Sequence, residues 1–387
     1  MGVDLGEWLN LAIRWLHLTA GIAWIGSSFY FVWLDNHLTK PEAGEASGEL
    51  WSVHGGGFYH NQKYQVAPSA MPERLHWFKW EAYFTWISGF SLLVLIYYVG
   101  AESFLIDRAK ADLSPAAAIA VGLAALALGW LVYDGLCRSP VGSSNLALGV
   151  FWFVCLVLGA AAIDGVFNAR AAYMHVGAIV GTVMAANVFL IIIPNQRKVV
   201  ADLVAGRTPD PALGAAAKQR SLHNNYMTLP VLFIMISPHY PMTYGAERPW
   251  LVLALLGLTG VAVRHIFNLR GRGRPTGAAI AVAAVLAAAT VTYVSVEKTG
   301  DSATGPAQDI TYAQVEPILA THCAACHTVN RPPRAIALES YEQVRAASAR
   351  IRAMAVDTQV MPLGNPTGMT PAERQRLGTW IAAGSPR

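Results

Sequence analysis

Long apolar runs alternate with short polar segments along this chain, and the runs set the fold class. Eight of them lie at about 9–34, 80–100, 116–136, 146–166, 173–194, 222–238, 249–268 and 277–296. Each approaches the ~20 residues that span a hydrocarbon core roughly 30 Å thick. The sixth is short and interrupted by Pro230, so its ends are the least defined. The pattern predicts an all-α protein: a polytopic membrane bundle of about eight helices over residues 1–296, then a linker at 297–307 and a small domain at 308–387. Gly300, Ser302, Thr304, Gly305 and Pro306 give the linker its polar, turn-forming character. In the last domain Thr370, Pro371 and Glu373 read as a capping box. Leu377, Trp380 and Ile381 then supply a helical apolar face.

Composition agrees with the pattern. The chain is 54% hydrophobic and 13% charged, against about 25% charged in soluble domains. Asp4 and Glu7 precede the first run where a signal peptide would carry basic residues, so the first helix is expected to serve as an uncleaved insertion signal. The net charge of +4 is spread over loops and indicates topology, not a nucleic-acid partner. Loops assigned to the cytoplasmic side carry Lys40, Lys63, Arg74, Lys79, Arg138, Arg197, Lys198, Arg207, Lys218, Arg220, Arg270, Arg272 and Arg274. The outer loops of the bundle carry only Arg108, Lys110, Arg170 and Arg248. That asymmetry places both termini outside the cytoplasm.

The strongest chemical signal is Cys323-Ala324-Ala325-Cys326-His327. In a C-x-x-C-H run two thiols one turn apart add to the vinyl groups of a haem, and the adjacent histidine becomes the proximal iron ligand. A zinc site would need a second Cys/His pair nearby, and a thiol redox site would sit in an α/β pattern; neither is present. The last domain therefore reads as a small class I cytochrome c with covalent haem c. The haem supplies core that some eighty residues alone would lack. Among Met354, Met361 and Met369, the sixth ligand is assigned to Met361, whose loop is stiffened by Pro362. The expected metal ligands are His327 and Met361. Cys137 and Cys155 lie in apolar runs and read as core thiols.

Polar groups within the membrane part are costly and point to function. His17 and His175 occupy similar places in the first and fifth spans, and Arg74-Leu75-His76 matches Arg220-Ser221-Leu222-His223. These pairs suggest a four-plus-four internal repeat. Two roles fit His17 and His175: clasping a b-type haem, or pinning helices through bonds to neighbouring carbonyls and hydroxyls. The segment 55–64 mixes glycine, aromatics and amides, which suits either a binding loop or an interfacial anchor. Arg220, Asn224 and Asn225 together suit a planar, anionic, hydrogen-bonding heterocycle, or else form an ordinary basic flank. His60, His76 and His223 are the candidate general bases.

Taken together, residues 15–35, 55–80, 175–199 and 220–241 with the terminal C-x-x-C-H resemble the membrane-bound urate hydroxylases, the PuuD-type urate oxidases with a C-terminal cytochrome c. The resemblance covers nearly the whole chain. It implies urate as substrate, 5-hydroxyisourate as product, and electron export through the cytochrome to a soluble cytochrome c or terminal oxidase. It also implies a bacterial inner membrane with the cytochrome domain outside. Two rivals remain: a fused cytochrome b/c that takes electrons from quinol without a urate site, and a transporter with a haem sensor.

Overall fold

The computed structural model describes residues 5–64, 67–300, 310–328, 336–357, 359–363, 365 and 367–387. The expected linker lies outside the described residues from 301 to its end. Each of the eight apolar runs is helical. They form α1 (Leu5–His37), α2 (Trp80–Leu93, continued by a wide π turn at Val94–Tyr98), α3 (Pro115–Arg138) and α4 (Asn145–Asp164). The others form α5 (Ala169–Val204, with a π turn at Asn187–Ile192), α6 (Pro211–Ile236), α7 (Pro249–Gly271) and α8 (Gly277–Gly300). Five of these, α3, α4, α5, α7 and α8, are long and apolar enough to cross a membrane. The remaining three fall outside that description for local reasons. α1 interleaves its apolar residues with Arg14, His17 and several aromatics, α2 has 14 residues before its π turn, and the first half of α6 is polar.

The helix starts are chemically marked. Ser114 and Ser144 accept hydrogen bonds from the backbone N–H groups of Ala117 and Ala147, and Asn168 accepts from that of Ala171. Asp210 does the same for α6, and Pro115, Pro211 and Pro249 occupy first turns, where a missing N–H costs nothing. Because the helices run alternately, the turns at 139–144, 205–210 and 272–276 gather at one end of the bundle. The loops at 105–114, 165–168 and 237–248 gather at the other, where Lys110 pairs with Asp164 at 3.0 Å. Large apolar side chains such as Leu128, Leu146, Leu158 and Val285 face outward. A soluble fold would bury that surface.

One expectation needs correction. The chain is not purely helical: β1 (Gly48–His54) and β2 (Gly57–Lys63) form an antiparallel hairpin at the 139–144 end. Its turn is Gly55-Gly56, at φ of 57° and 81°. Only glycine adopts two successive left-handed positions without strain. The Lys63–Asp35 pair, at 2.7 Å, ties the hairpin to the end of α1.

The C-terminal residues form a separate small core of Val315, Ile318, Leu319, Val344, Ile351, Leu377 and Trp380. It is built from α9 (Tyr312–Leu319), α10 (Tyr341–Ala346), α11 (Pro371–Ala382) and shorter turns. Capping boxes start all three helices, at Thr311/Gln314, Ser340/Gln343 and Thr370/Glu373. The last is the one the sequence predicts.

Candidate functional site

α6 is the hub of the buried polar groups. Arg220, 4% exposed, donates to Asp134 of α3 at 2.6 Å and to Asn187 of α5 at 3.1 Å. Its guanidinium lies over Tyr133, 5.0 Å from the ring centre. Asn187 in turn donates to Asn224 at 2.8 Å, and Asn224 donates to the Met184 carbonyl at 3.0 Å. The π turn in α5 begins at Asn187. The sequence pattern groups Arg220 with the cytoplasmic loops and with substrate binding, but its charge is taken up by Asp134. Asn224 is equally committed.

Asn225 faces the other way, toward α7. Its Oδ1 accepts from Arg264 Nε, and its Nδ2 donates to Asn268 Oδ1 at 3.3 Å. Arg264 is buried and stacks on Phe29, 3.7 Å from the ring centre. The substrate triad Arg220, Asn224 and Asn225 is therefore split between two faces of one helix.

Asn225 and Asn268 open onto a groove of about 1340 Å³ at the hairpin end of the bundle. Its walls include Phe31 and Asp35 of α1, Asn61 and Lys63 of the hairpin, His76 and Trp77 before α2, and Arg272 after α7. Two of the segments singled out in the sequence thus converge. Of the predicted bases, His76 lines the groove. His60 stands on β2, bonded to Glu49 at 2.9 Å and stacked on Trp51 at 4.2 Å. His223 is buried, its ring 6.0 Å from Tyr133. The structure does not repeat one environment at His76 and His223: one sits in an exposed loop and the other inside a helix packing face.

His17 and His175 do not share a site. His17 Nδ1 donates to the Thr85 carbonyl at 2.9 Å, on α2. His175 Nδ1 donates to the Ala171 carbonyl at 2.8 Å, and Tyr98 O–H donates to its Nε2 at 3.3 Å. The ring is fully buried against Phe167, Tyr97 and Tyr98. It also lies so close to α3 that a Cβ at Gly122 would be 2.8 Å from Nε2. A ring sealed by packing and bonded at both nitrogens offers no face to an iron. Both histidines bond to neighbouring carbonyls or hydroxyls, His17 through Nδ1 alone.

In the C-terminal domain His327 Nδ1 donates to the Ile336 carbonyl at 2.8 Å. This bond fixes the tautomer and leaves Nε2 for a metal. Cys323 and Met361 border the same small core, whereas Met369 is buried within it at 2% exposure. Arg374, unmarked in the sequence, donates to the Ala355 and Met361 carbonyls and pins the methionine loop to α11. Burial pushes the Cys323 thiol up to about 11, the reverse of the activated thiolate that a disulfide-exchange site requires. Cys323, Cys326, His327 and Met361 are thus the residues that fit a covalent haem. Among the described residues no cluster of three His, Cys, Asp or Glu side chains could hold a bare metal ion.

A second cavity, about 450 Å³, lies at the opposite end of the bundle. Lys110, Asn168, Arg170 and Tyr244 line it from the bundle, and Pro362, Leu363 and Arg374 from the C-terminal domain.

No curated protein and no solved structure matches the chain. Residues 4–295, the whole bundle, match the family model described as urate oxidase N-terminal, and the chain belongs to that family.

Proposed function

We propose that the protein is a membrane-bound oxidoreductase that converts urate to 5-hydroxyisourate and delivers the electrons to a c-type haem on its own C-terminal domain. The observation that carries the reading is the family match over residues 4–295 in a chain that also holds Cys323-x-x-Cys326-His327, with His327 Nδ1 bonded to the Ile336 carbonyl. Urate and water give 5-hydroxyisourate, two protons and two electrons. Loss of the electron pair makes C5 electrophilic, and water adds there. In the hairpin-end groove the Asn225/Asn268 amides suit the edge of a purine, and Phe31 and Trp77 suit its face. His76 is the groove residue suited to take a proton from the attacking water. A c-type haem, when bound through Cys323, Cys326, His327 and Met361, supplies a one-electron acceptor, so two transfers follow each turnover. A soluble cytochrome c or a terminal oxidase is the next acceptor. The bundle sits in a bacterial cytoplasmic membrane with the C-terminal domain outside.

Geometry attaches a requirement to the groove. A bundle helix of ~20 residues spans about 30 Å, too far for one useful electron jump, so the groove needs a further redox group inside the bundle. A second reading places urate in the cavity at the opposite end. Two observations favour it: the Met361 loop forms one wall, and Arg170, whose Nε is buried without a partner, forms another.

The test is anaerobic addition of urate to the oxidised, detergent-purified protein. Reduced c-type bands appearing at a catalytic rate are expected. A spectrum that urate leaves unchanged but quinol reduces would sink the urate reading and promote the cytochrome b/c rival. Haem quantitation decides between the two cavities: one haem per chain selects the cavity beside Met361, and a second, non-covalent haem selects the groove.

A further inference from the structure

The groove contains a buried donor that the protein leaves unused. A guanidinium can only donate, so the bond from Arg264 identifies the Asn225 atom it reaches as the oxygen. Asn225 then has only Nδ2 to offer its neighbour, and this fixes the facing atom of Asn268 as its oxygen. The remaining Asn268 nitrogen is thereby set by its neighbours. It is buried, has no hydrogen-bond partner, and belongs to a residue 3% exposed that lines the groove. Asn61 Nδ2, on β2, is a second buried groove-lining donor without a partner. Unpaired buried donors are rare in folded proteins, and two among the residues that line one groove call for an acceptor.

We infer that the groove corner between α6 and α7 is a purine subsite, in which the Asn268 amide donates to a carbonyl oxygen of urate while Arg264 and Asn225 hold that amide in position. Unpaired donors on groove-lining residues suit an oxygen-rich or anionic ligand better than a metal cation. The aromatic walls at Phe31 and Trp77 select a planar one. Asn61 supplies a second donor to the same ring. The groove is larger than the ~300–1,000 Å³ usual for small-ligand pockets, so urate occupies only the part that the donors define. This inference deepens the urate reading and rests on it.

The test reads equilibrium binding and so does not depend on the electron route. Full-length holoprotein, kept reduced with dithionite to prevent turnover, is dialysed against urate and against the three dioxopurines that each lack one of its carbonyl oxygens. Asn268→Ala is expected to weaken urate and two of the dioxopurines about tenfold. Binding of the third, which lacks the accepted oxygen, should be unchanged. Asn268→Asp keeps the volume and the bond from Asn225 but turns the donor into a carboxylate, and should weaken all four ligands by more than tenfold. Asn225→Asp keeps the acceptor for Arg264 but leaves the Asn268 amide free to turn, and should erase the same discrimination. If wild type binds urate and Asn268→Ala binds all four ligands as wild type does, or weakens all four alike, the inference is overturned while the urate reading stands. Discrimination intact in Asn225→Asp removes the positioning roles. If wild type binds no urate, the urate reading itself fails, and the inference with it.

Discussion

α6 joins two buried arginine networks on two of its faces, and they end differently. On the α3/α5 side, Arg220 has a carboxylate, and the chain of bonds runs through Asn187 and Asn224 to a backbone carbonyl. On the α7 side, Arg264 has an amide and an aromatic face, and the chain of bonds runs through Asn225 to Asn268 and stops. A network that closes on backbone is explained by the fold it holds together. One that ends on an unpaired buried donor of a groove-lining residue leaves room for a partner outside the protein. Burial and polarity, which the two share, do not separate scaffold from site; the last bond does.

The largest effect that would break this comparison is loss of the closed side. Arg220→Ala leaves the partly buried Asp134 with Arg138 alone, since Arg138 reaches its other oxygen at 2.7 Å and is itself largely exposed. Removing one partner of a buried ion pair costs about 3–5 kcal/mol. We expect a large fall in the detergent melting temperature, with the activity of the surviving folded fraction unchanged. A variant that melts normally yet loses urate-driven haem reduction would make the closed side part of the site.

Next in size is the open side's own chemistry. His76→Ala should lower the rate of urate-driven haem reduction about 10²-fold, the lower end of what a positioned acid or base contributes. The melting temperature should not move, because His76 is exposed and its ring contact is with Phe78. Stopped-flow reduction beside a melting curve checks both halves. An unchanged rate would move the chemistry to the cavity beside Met361.

How far the sequence could foresee this contrast follows from the range of each signal. The eight apolar runs are legible because transfer out of water acts on every residue of a run at once. Cys323, Cys326 and His327 are legible because haem attachment fixes their spacing. The hairpin had a local sign, Gly55-Gly56 between strand-like segments, but its mixed aromatics and amides also suit a loop. The Asp134–Arg220 pair joins residues 86 positions apart, and no local pattern marks it. Arg220 therefore read as a basic flank or a substrate ligand. Arg264 and Asn268 were hidden in the same way, among the arginines at the end of the seventh apolar run. The π turns, which bring Tyr98 to His175 and Asn187 to Arg220, leave no periodic trace.

A smaller effect tests whether closure is worth less at the surface. Thr370 and Glu373 form a closed pair: Thr370 N–H and O–H both donate to the Glu373 carboxylate at 2.8 Å. The Thr370 backbone bond, then its hydroxyl, hold that carboxyl below its ordinary value of 4.5, with His322 a lesser contributor. A depressed folded-state value means the stabilisation is fully present above the unfolded value near 4.5 and is lost as pH falls through the folded one. Thr370→Ala should cost about 1 kcal/mol and lessen this acid-side loss by the hydroxyl's share, the backbone bond being retained, in a pH series of melting curves. An acid dependence undiminished in the variant would deny the hydroxyl that share.

The smallest effect concerns the open end itself. Asn268→Ala removes the donor that has no partner, and with it the oxygen that Asn225 Nδ2 uses. One unpaired buried donor exists before the substitution, on Asn268, and one after it, on Asn225. The number of orphaned groups is conserved, and a groove wall loses little packing. The stability change should therefore stay below about 1 kcal/mol, several-fold less than for Arg220→Ala, although both side chains are almost equally buried. Melting curves of the two variants side by side measure the ratio. Equal losses would mean that the Arg264 network is scaffold like its counterpart, and the unpaired amide would then lose its standing as a mark of the site.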